Sequence, residues 1–281
     1  MNMKCCLRDC LKCFLIIIEQ KWGHRMTIWQ AFKASYSGSI AFLTACPLLA
    51  LFPVAFELVQ HLVEVRIGMY DSLAAAKAVE HDQLRMGFGF LKVIALVVPE
   101  YWVVRYLVFR EQARAAQFDR LAVSLFAVFM AFKLGLTAIQ LFGLPQTGPV
   151  LLATFFGGAI VSILIAAWGV AASLGNGTIG PGASIAIMWR QLPWTFVFSL
   201  LTMLPLMALH YGFAALALLG PKPLLWPTLV IDALLVGWLA AVMPAINLFA
   251  ATRAAAKAGI ALVPYTIAAA INDNQTNPAS A

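Results

Sequence analysis

The sequence predicts an all-α integral membrane bundle of six transmembrane helices with short interfacial helices. The first observation is charge: no Asp, Glu, Lys or Arg lies between Lys133 and Arg190, or between Arg190 and Lys222. Each interval exceeds the roughly 20 apolar residues that cross a bilayer as a helix. The second is composition, which is 62% hydrophobic and 11% charged, against about 45–50% and about 25% in soluble domains. These values exclude an ordinary cytosolic enzyme.

Six apolar segments define the predicted spans, and Gly/Pro clusters at 144–149, 174–182 and 220–223 separate the last four. Such clusters mark turns, because Gly permits positive φ and Pro removes a hydrogen-bond donor. The predicted spans are Gly38–Gln60, Phe88–Phe109, Leu121–Phe142, Val150–Leu174, Trp194–Leu219 and Leu224–Ala250.

Three shorter helices are predicted outside the spans. Segments 27–36 and 184–194 combine Trp with Lys or Arg, which is typical of helices at the headgroup level. The run 71–86 contains good helix formers, and Asp71 or Ser72 can cap it. We expect a short external helix in that run.

The distribution of Lys and Arg predicts the orientation. Cationic residues are frequent before the first span, in the loop at 110–120 and near the C-terminus, whereas the 61–87 loop is balanced by acidic residues. Because Lys and Arg favour the cytoplasmic side, we expect both termini in the cytoplasm and a bacterial inner-membrane location. The predicted regions are a cytoplasmic segment (1–25), a membrane domain (26–258) and a cytoplasmic tail (259–281).

One motif carries a resemblance to known proteins. An amphipathic Trp/Lys segment precedes a span, a polar span ending in VRYLVFRE (Val104–Glu111), and four further spans. This order, over roughly Met26 to Lys257, resembles uncharacterised bacterial six-helix inner-membrane proteins, some labelled as membrane domains of glycerophosphodiester-phosphodiesterase type. The resemblance implies a membrane protein of unknown role, and it transfers neither the phosphodiesterase activity nor any catalytic residue.

Four of the five cysteines lie in the first 13 residues, and Cys10 and Cys13 form a C-x-x-C pair. Such a pair binds zinc or takes part in redox exchange. A start of translation at Met26 and a merely incidental cysteine group are the alternatives. Cys46 lies within the first span and is expected to be a packing residue. No metal site or cofactor is predicted.

Charged residues inside spans are costly and therefore candidates for function. We interpret Glu57, Lys92 and Arg105 as anchors near span ends, which reach the interface by snorkelling. Glu100, Lys133, His210 and Asp232 lie deeper and are the candidate site residues. Lys133–Glu100 and His210–Asp232 are allowed pairs on consecutive spans, and all four residues can converge near mid-membrane.

Three functions follow from these residues. A non-enzymatic structural or regulatory envelope component is favoured, because no motif indicates a substrate or a reaction. A transporter or channel-like protein with a polar site near mid-membrane, and an intramembrane enzyme acting on lipid, are the alternatives. The expected partners are the lipid bilayer and a second copy or another membrane protein, and no nucleic acid, because no basic stripe is interleaved with stacking aromatics.

Overall fold

The computed structural model describes residues 26–145 and 147–264, and over these ranges the chain forms helices and turns without a strand. The predicted all-α class is confirmed. The four N-terminal cysteines, the segment 1–25 and most of the tail lie outside the described residues, so the C-x-x-C hypothesis stays a prediction.

The helices are numbered here in chain order. Their bounds are α1 Ile28–Ala45, α2 Pro47–Arg66, α3 Leu73–Ala78, α4 Gln83–Val97, α5 Pro99–Phe109, α6 Gln112–Ala116, α7 Arg120–Ala138, α8 Gly148–Leu164, α9 Ala166–Ser173, α10 Pro181–Trp189, α11 Leu192–Leu219 and α12 Leu225–Ala258. A π turn at Ile139–Gly143 extends α7, and a 3₁₀ turn at Lys222–Leu224 precedes α12.

Five helical stretches in the described residues are long and apolar enough to cross a membrane. They are Pro47–Arg66, Gln83–Phe109, Arg120–Gly143, Leu192–Leu219 and Lys222–Ala258. A sixth is available if α8 and α9 count together, although they are bent by 47° at their junction. This agrees with the predicted multi-span bundle.

The first span differs from the prediction of Gly38–Gln60. The helix breaks at Cys46 (φ −124°, ψ 55°), and α2 then runs from Pro47 to Arg66. The break follows from Pro47, since the ring of a proline disfavours a helical conformation at the preceding residue. As a result, His61 and Glu64 belong to the helix and not to the external loop.

Two of the predicted short helices are present, and one is not. The helix that begins at residue 28 does not end near residue 36 but continues to Ala45, so a separate interfacial helix there is wrong. Before the fifth span, α10 is a separate short helix. The external helix is α3, capped by Ser72, whose Oγ accepts a hydrogen bond from Ala75 N at 3.1 Å.

Helix α12 is the central element of the bundle. It packs against α1, α2, α5, α9 and α11. In its most apolar stretch of 18 residues, 72% is buried inside the protein. Its buried residues include eight alanines and Gly237, and small residues allow close helix approach in membranes. The Cβ of any residue replacing Gly237 would lie 2.5 Å from Val54 Cγ2 of α2. This close approach brings the polar face of α2 against α12.

Candidate functional site

A buried group of charged and polar side chains lies where α2, α4, α11 and α12 meet. We call it the acidic cluster. Its members are Glu57, His61, Glu64, Tyr70, Arg85, Lys92, His210 and Asp232.

Three members come from one face of α2. Glu57, His61 and Glu64 follow each other at intervals of four and three residues, which places them side by side on a helix. They are 1%, 5% and 7% exposed, respectively. Asp232 of α12 faces them and is 2% exposed. Because isolated buried charges are strongly unfavourable, the arrangement depends on the contacts among these groups.

The imidazole of His61 is the centre of the acidic cluster. Its Nε2 lies 3.3 Å from Asp232 Oδ2 and 3.5 Å from Glu57 Oε1, yet it makes no hydrogen bond of acceptable geometry. Its Nδ1 lies 3.3 Å from Glu64 Oε2. Since a neutral imidazole has one donor and one acceptor nitrogen, donation from Nδ1 to Glu64 directs the Nε2 lone pair towards the other two carboxylates.

Glu64 is held in place by several donors. The Tyr70 hydroxyl donates to Oε2 at 2.7 Å, and Gln60 Nε2 donates to Oε1 at 3.1 Å. Arg85 Nε lies 3.4 Å from Oε1. Burial, followed by the negative charge of Glu64, raises the pKa of Tyr70 well above its usual value. The phenol therefore stays protonated and acts as a donor to Glu64.

Each of the other two carboxylates also has a partner on a second helix. Lys92 Nζ of α4 lies 2.7 Å from Glu57 Oε1 and 2.6 Å from Oε2. His210 Nδ1 of α11 lies 2.7 Å from Asp232 Oδ1. The hydrogen bonds thus fix the orientation of both carboxylates and leave Asp232 Oδ2 directed at His61.

The charges of the acidic cluster do not cancel when both imidazoles are neutral. Three carboxylates face two obligate cations, Lys92 and Arg85, which leaves an excess of one negative charge. Within the described residues, Glu57, His61 and Asp232 also form a group whose ligand atoms all lie within 4.8 Å of one another. In that protonation state the cluster has both the charge and the donor atoms to accept a small cation.

A second polar site lies elsewhere in the bundle. Lys133 Nζ of α7 lies 3.7 Å from Glu100 Oε2 of α5, and Asn247 Nδ2 of α12 donates to Glu100 Oε1 at 3.2 Å. Gly169 of α9 closes the site, because an added Cβ would lie 2.8 Å from Glu100 Oε1 and 2.5 Å from Phe129 Cζ. This tight enclosure is typical of a structural ion pair.

The structure brings the four sequence-predicted residues together as two pairs and not as one site. Both predicted pairs, Lys133–Glu100 and His210–Asp232, are present. Their predicted convergence near mid-membrane is wrong. Asp232 belongs to one pair and Asn247 contacts the other, and the two residues lie about 22 Å apart along α12 at 1.5 Å per residue. Only the pair of His210 and Asp232 belongs to the acidic cluster.

The interpretation of three residues as snorkelling anchors is also wrong. Glu57 and Arg105 are 1% and 3% exposed, and the side chain of Lys92 is directed at Glu57. Arg105 is enclosed by the rings of Tyr101 and Phe109, at 5.1 and 5.2 Å from the ring centroids. Its Nε donates to the carbonyl of Arg114 at 3.0 Å. This side chain therefore ties the following loop to α5.

Sequence reasoning missed His61 and Glu64 as site residues. The predicted end of the first span at residue 60 placed them in a loop. The signal that identifies them is the segment ELVQHLVE at 57–64, in which the polar residues recur at helical spacing within an apolar sequence. No metal-ligand spacing was visible, because the structure joins His61 to Asp232 from a distant part of the chain.

Comparison of this chain with protein-family models, curated proteins and solved structures finds no match. The interpretation of the acidic cluster therefore depends on its own geometry.

Proposed function

We propose that this chain is a multi-pass protein of a bacterial inner membrane that binds a small cation in the acidic cluster and carries it across the bilayer. The single observation behind the proposal is His61 Nε2, which is buried between two carboxylates on helices long enough to span a membrane. Ionisable groups inside spans are unfavourable and mark ion pathways.

The position of the acidic cluster supports entry from one end of the bundle. Arg85, whose side chain is 27% exposed, and Tyr70 lie at the end formed by the 67–82 connection between α2 and α4. Lys222 donates to the carbonyl of Tyr70 at the same end. In the orientation expected from the Lys and Arg distribution, this end faces outwards. A cation entering from outside meets Glu64 first and then reaches His61.

A structural or regulatory role is the second candidate. It is favoured by the site of Glu100, Lys133 and Asn247, where a Cβ added at Gly169 would already overlap Glu100 Oε1 and Phe129 Cζ. This role, preferred from sequence alone, accounts for that site but gives no reason for the negative charge that the acidic cluster carries when both imidazoles are neutral. Buried ion pairs contribute little net stability. Stability alone therefore does not account for a cluster of this size, which favours a cation-binding role.

Flux measurements on reconstituted protein test the proposal. Proteoliposomes containing the full chain are loaded with a panel of monovalent and divalent cations, and exchange is followed with ion-selective dyes. We expect exchange above that of empty liposomes, and its loss in Asp232→Asn. Glu80→Gln, on the exposed loop, should retain full exchange. Absence of exchange of every cation would contradict carriage and favour the structural role. Since six spans are few for a complete carrier, we expect the active form to be a dimer.

A further inference from the structure

We propose that Glu57, His61 and Asp232 form a binding site for a first-row divalent transition metal ion, for example zinc. The inference rests on the proposed function, because it names the chemical class of the cation. It is carried by three observations: the separation of the donor atoms, the unpaired imidazole nitrogen, and the hydrogen bonds that orient each ligand.

The separations agree with tetrahedral coordination. With metal–nitrogen and metal–oxygen distances of about 2.0–2.2 Å, two ligands of a tetrahedral ion lie about 3.3–3.5 Å apart. His61 Nε2 lies 3.3 Å from Asp232 Oδ2 and 3.5 Å from Glu57 Oε1. The third separation, between the two carboxylates, is within 4.8 Å, so the three ligand atoms border one common space.

The donor set selects the class of metal. Calcium and magnesium prefer oxygen ligands alone, whereas imidazole suits zinc and its first-row neighbours. One imidazole and two carboxylates supply three ligands, which leaves a fourth position open. Open coordination distinguishes exchangeable or reactive zinc sites from closed structural ones. A transport site must release its ion, and an open coordination position allows the ligand exchange that release requires.

The surrounding hydrogen bonds preorganise the proposed ligands, as in known metal sites. Metal-binding histidines usually donate the second ring nitrogen to a carboxylate, and His61 Nδ1 has that relation to Glu64 Oε2 at 3.3 Å. Asp232 accepts from His210 through the oxygen that does not face His61. Lys92 binds Glu57. All three proposed ligands are therefore oriented by groups outside the site.

Charge and burial favour an ion over an empty site. His61 is 5% exposed, and its Nε2 has no hydrogen bond, a situation that is unfavourable for a buried polar atom. A divalent ion satisfies this nitrogen and offsets the negative charge that remains when both imidazoles are neutral. A proton shared between His61 and Asp232 is the competing occupant, and the experiment separates the two.

The experiment measures zinc binding to the full chain in lipid nanodiscs by titration calorimetry from a chelator-buffered solution. Cys5, Cys6, Cys10 and Cys13 are replaced by Ser in every sample, so that thiolates do not contribute. We expect a single equivalent of zinc per chain. His61→Gln and Asp232→Asn should each weaken binding by more than about 100-fold, and Glu64→Gln by about 10–100-fold, since it positions His61. Glu80→Gln should bind like the parent.

A spectroscopic readout keeps the test decisive if a variant fails to fold. Cobalt replaces zinc in the parent protein, and tetrahedral cobalt absorbs visible light far more strongly than hydrated cobalt. A strong tetrahedral spectrum that zinc abolishes supports the site. Weak binding without that spectrum, or zinc binding unchanged in a folded His61→Gln variant, would overturn the inference. Zinc binding without flux refutes carriage alone, whereas flux of monovalent cations without zinc binding refutes the metal site alone.

Discussion

His61 and Asp232 lie on different helices of the bundle, yet Nε2 of the imidazole and Oδ2 of the carboxylate are 3.3 Å apart. The contact is possible because Gly237 permits α2 and α12 to approach closely. Both side chains are almost fully buried. Their proximity distinguishes the acidic cluster from an ordinary helix-to-helix ion pair and leads to the following predictions.

Glu57→Gln should lower the stability of the protein, because it leaves Lys92 beside an uncharged amide in a mostly buried position. Removing one member of a buried ion pair lowers the free energy of unfolding by about 3–5 kcal/mol. We expect a loss near the lower limit, since the side chain of Lys92 is 22% exposed. The measurement is thermal unfolding in detergent. The double variant Glu57→Leu/Lys92→Leu should recover most of the loss. An equally large loss in the double variant would indicate that packing, and not charge, is responsible.

Gly169→Ala should destabilise the site of Glu100 and Lys133. The added methyl group would lie 2.5 Å from Phe129 Cζ and 2.8 Å from Glu100 Oε1, and overpacking of this kind costs about 1–3 kcal/mol. Gly157→Ala is the matched control, since no neighbouring atom lies within 4 Å of its added Cβ. There we expect a gain of up to about 1 kcal/mol, because alanine is the better helix former. Equal effects of the two substitutions would contradict the packing argument.

Arg105→Lys should detach the loop that follows α5. The guanidinium lies against two aromatic rings and donates to two backbone carbonyls, of Arg114 and Ser173. An ammonium group does not reproduce this stacked, forked geometry. We expect a loss of about 1–3 kcal/mol and faster proteolysis within 110–120. Arg120→Lys, at an exposed position, should behave as the parent. Unchanged cleavage in Arg105→Lys would show that the loop is held by other contacts.

Cysteine labelling should reveal the proposed orientation. In a cysteine-free background, a membrane-impermeant maleimide added to spheroplasts should label Asp71→Cys at once, because its loop is expected outside. Glu111→Cys, in the Arg-rich loop, should react only after the cells are opened. The reverse pattern would place the acidic cluster at the cytoplasmic end and invert the proposed direction of cation entry.

The sequence predicts the helical membrane class well because long charge-free intervals have one physical interpretation. It also identifies His210–Asp232 and Lys133–Glu100, since neighbouring antiparallel spans bring residues at equal depth together. It fails at Glu57, His61 and Glu64. The predicted first span ended at residue 60, whereas α2 continues to Arg66. The packing of α2 against α12 depends on close contacts such as that at Gly237, which spacing along the chain does not reveal.

The most direct test of the account is a structure of the protein grown or frozen with zinc, examined for anomalous scattering or density at the acidic cluster. We predict an ion about 2.0–2.2 Å from Glu57 Oε1, His61 Nε2 and Asp232 Oδ2, with His210 and Glu64 retaining their hydrogen bonds. A site without an ion, in which His61 Nε2 donates directly to Asp232, would contradict the metal site and favour a proton as its occupant.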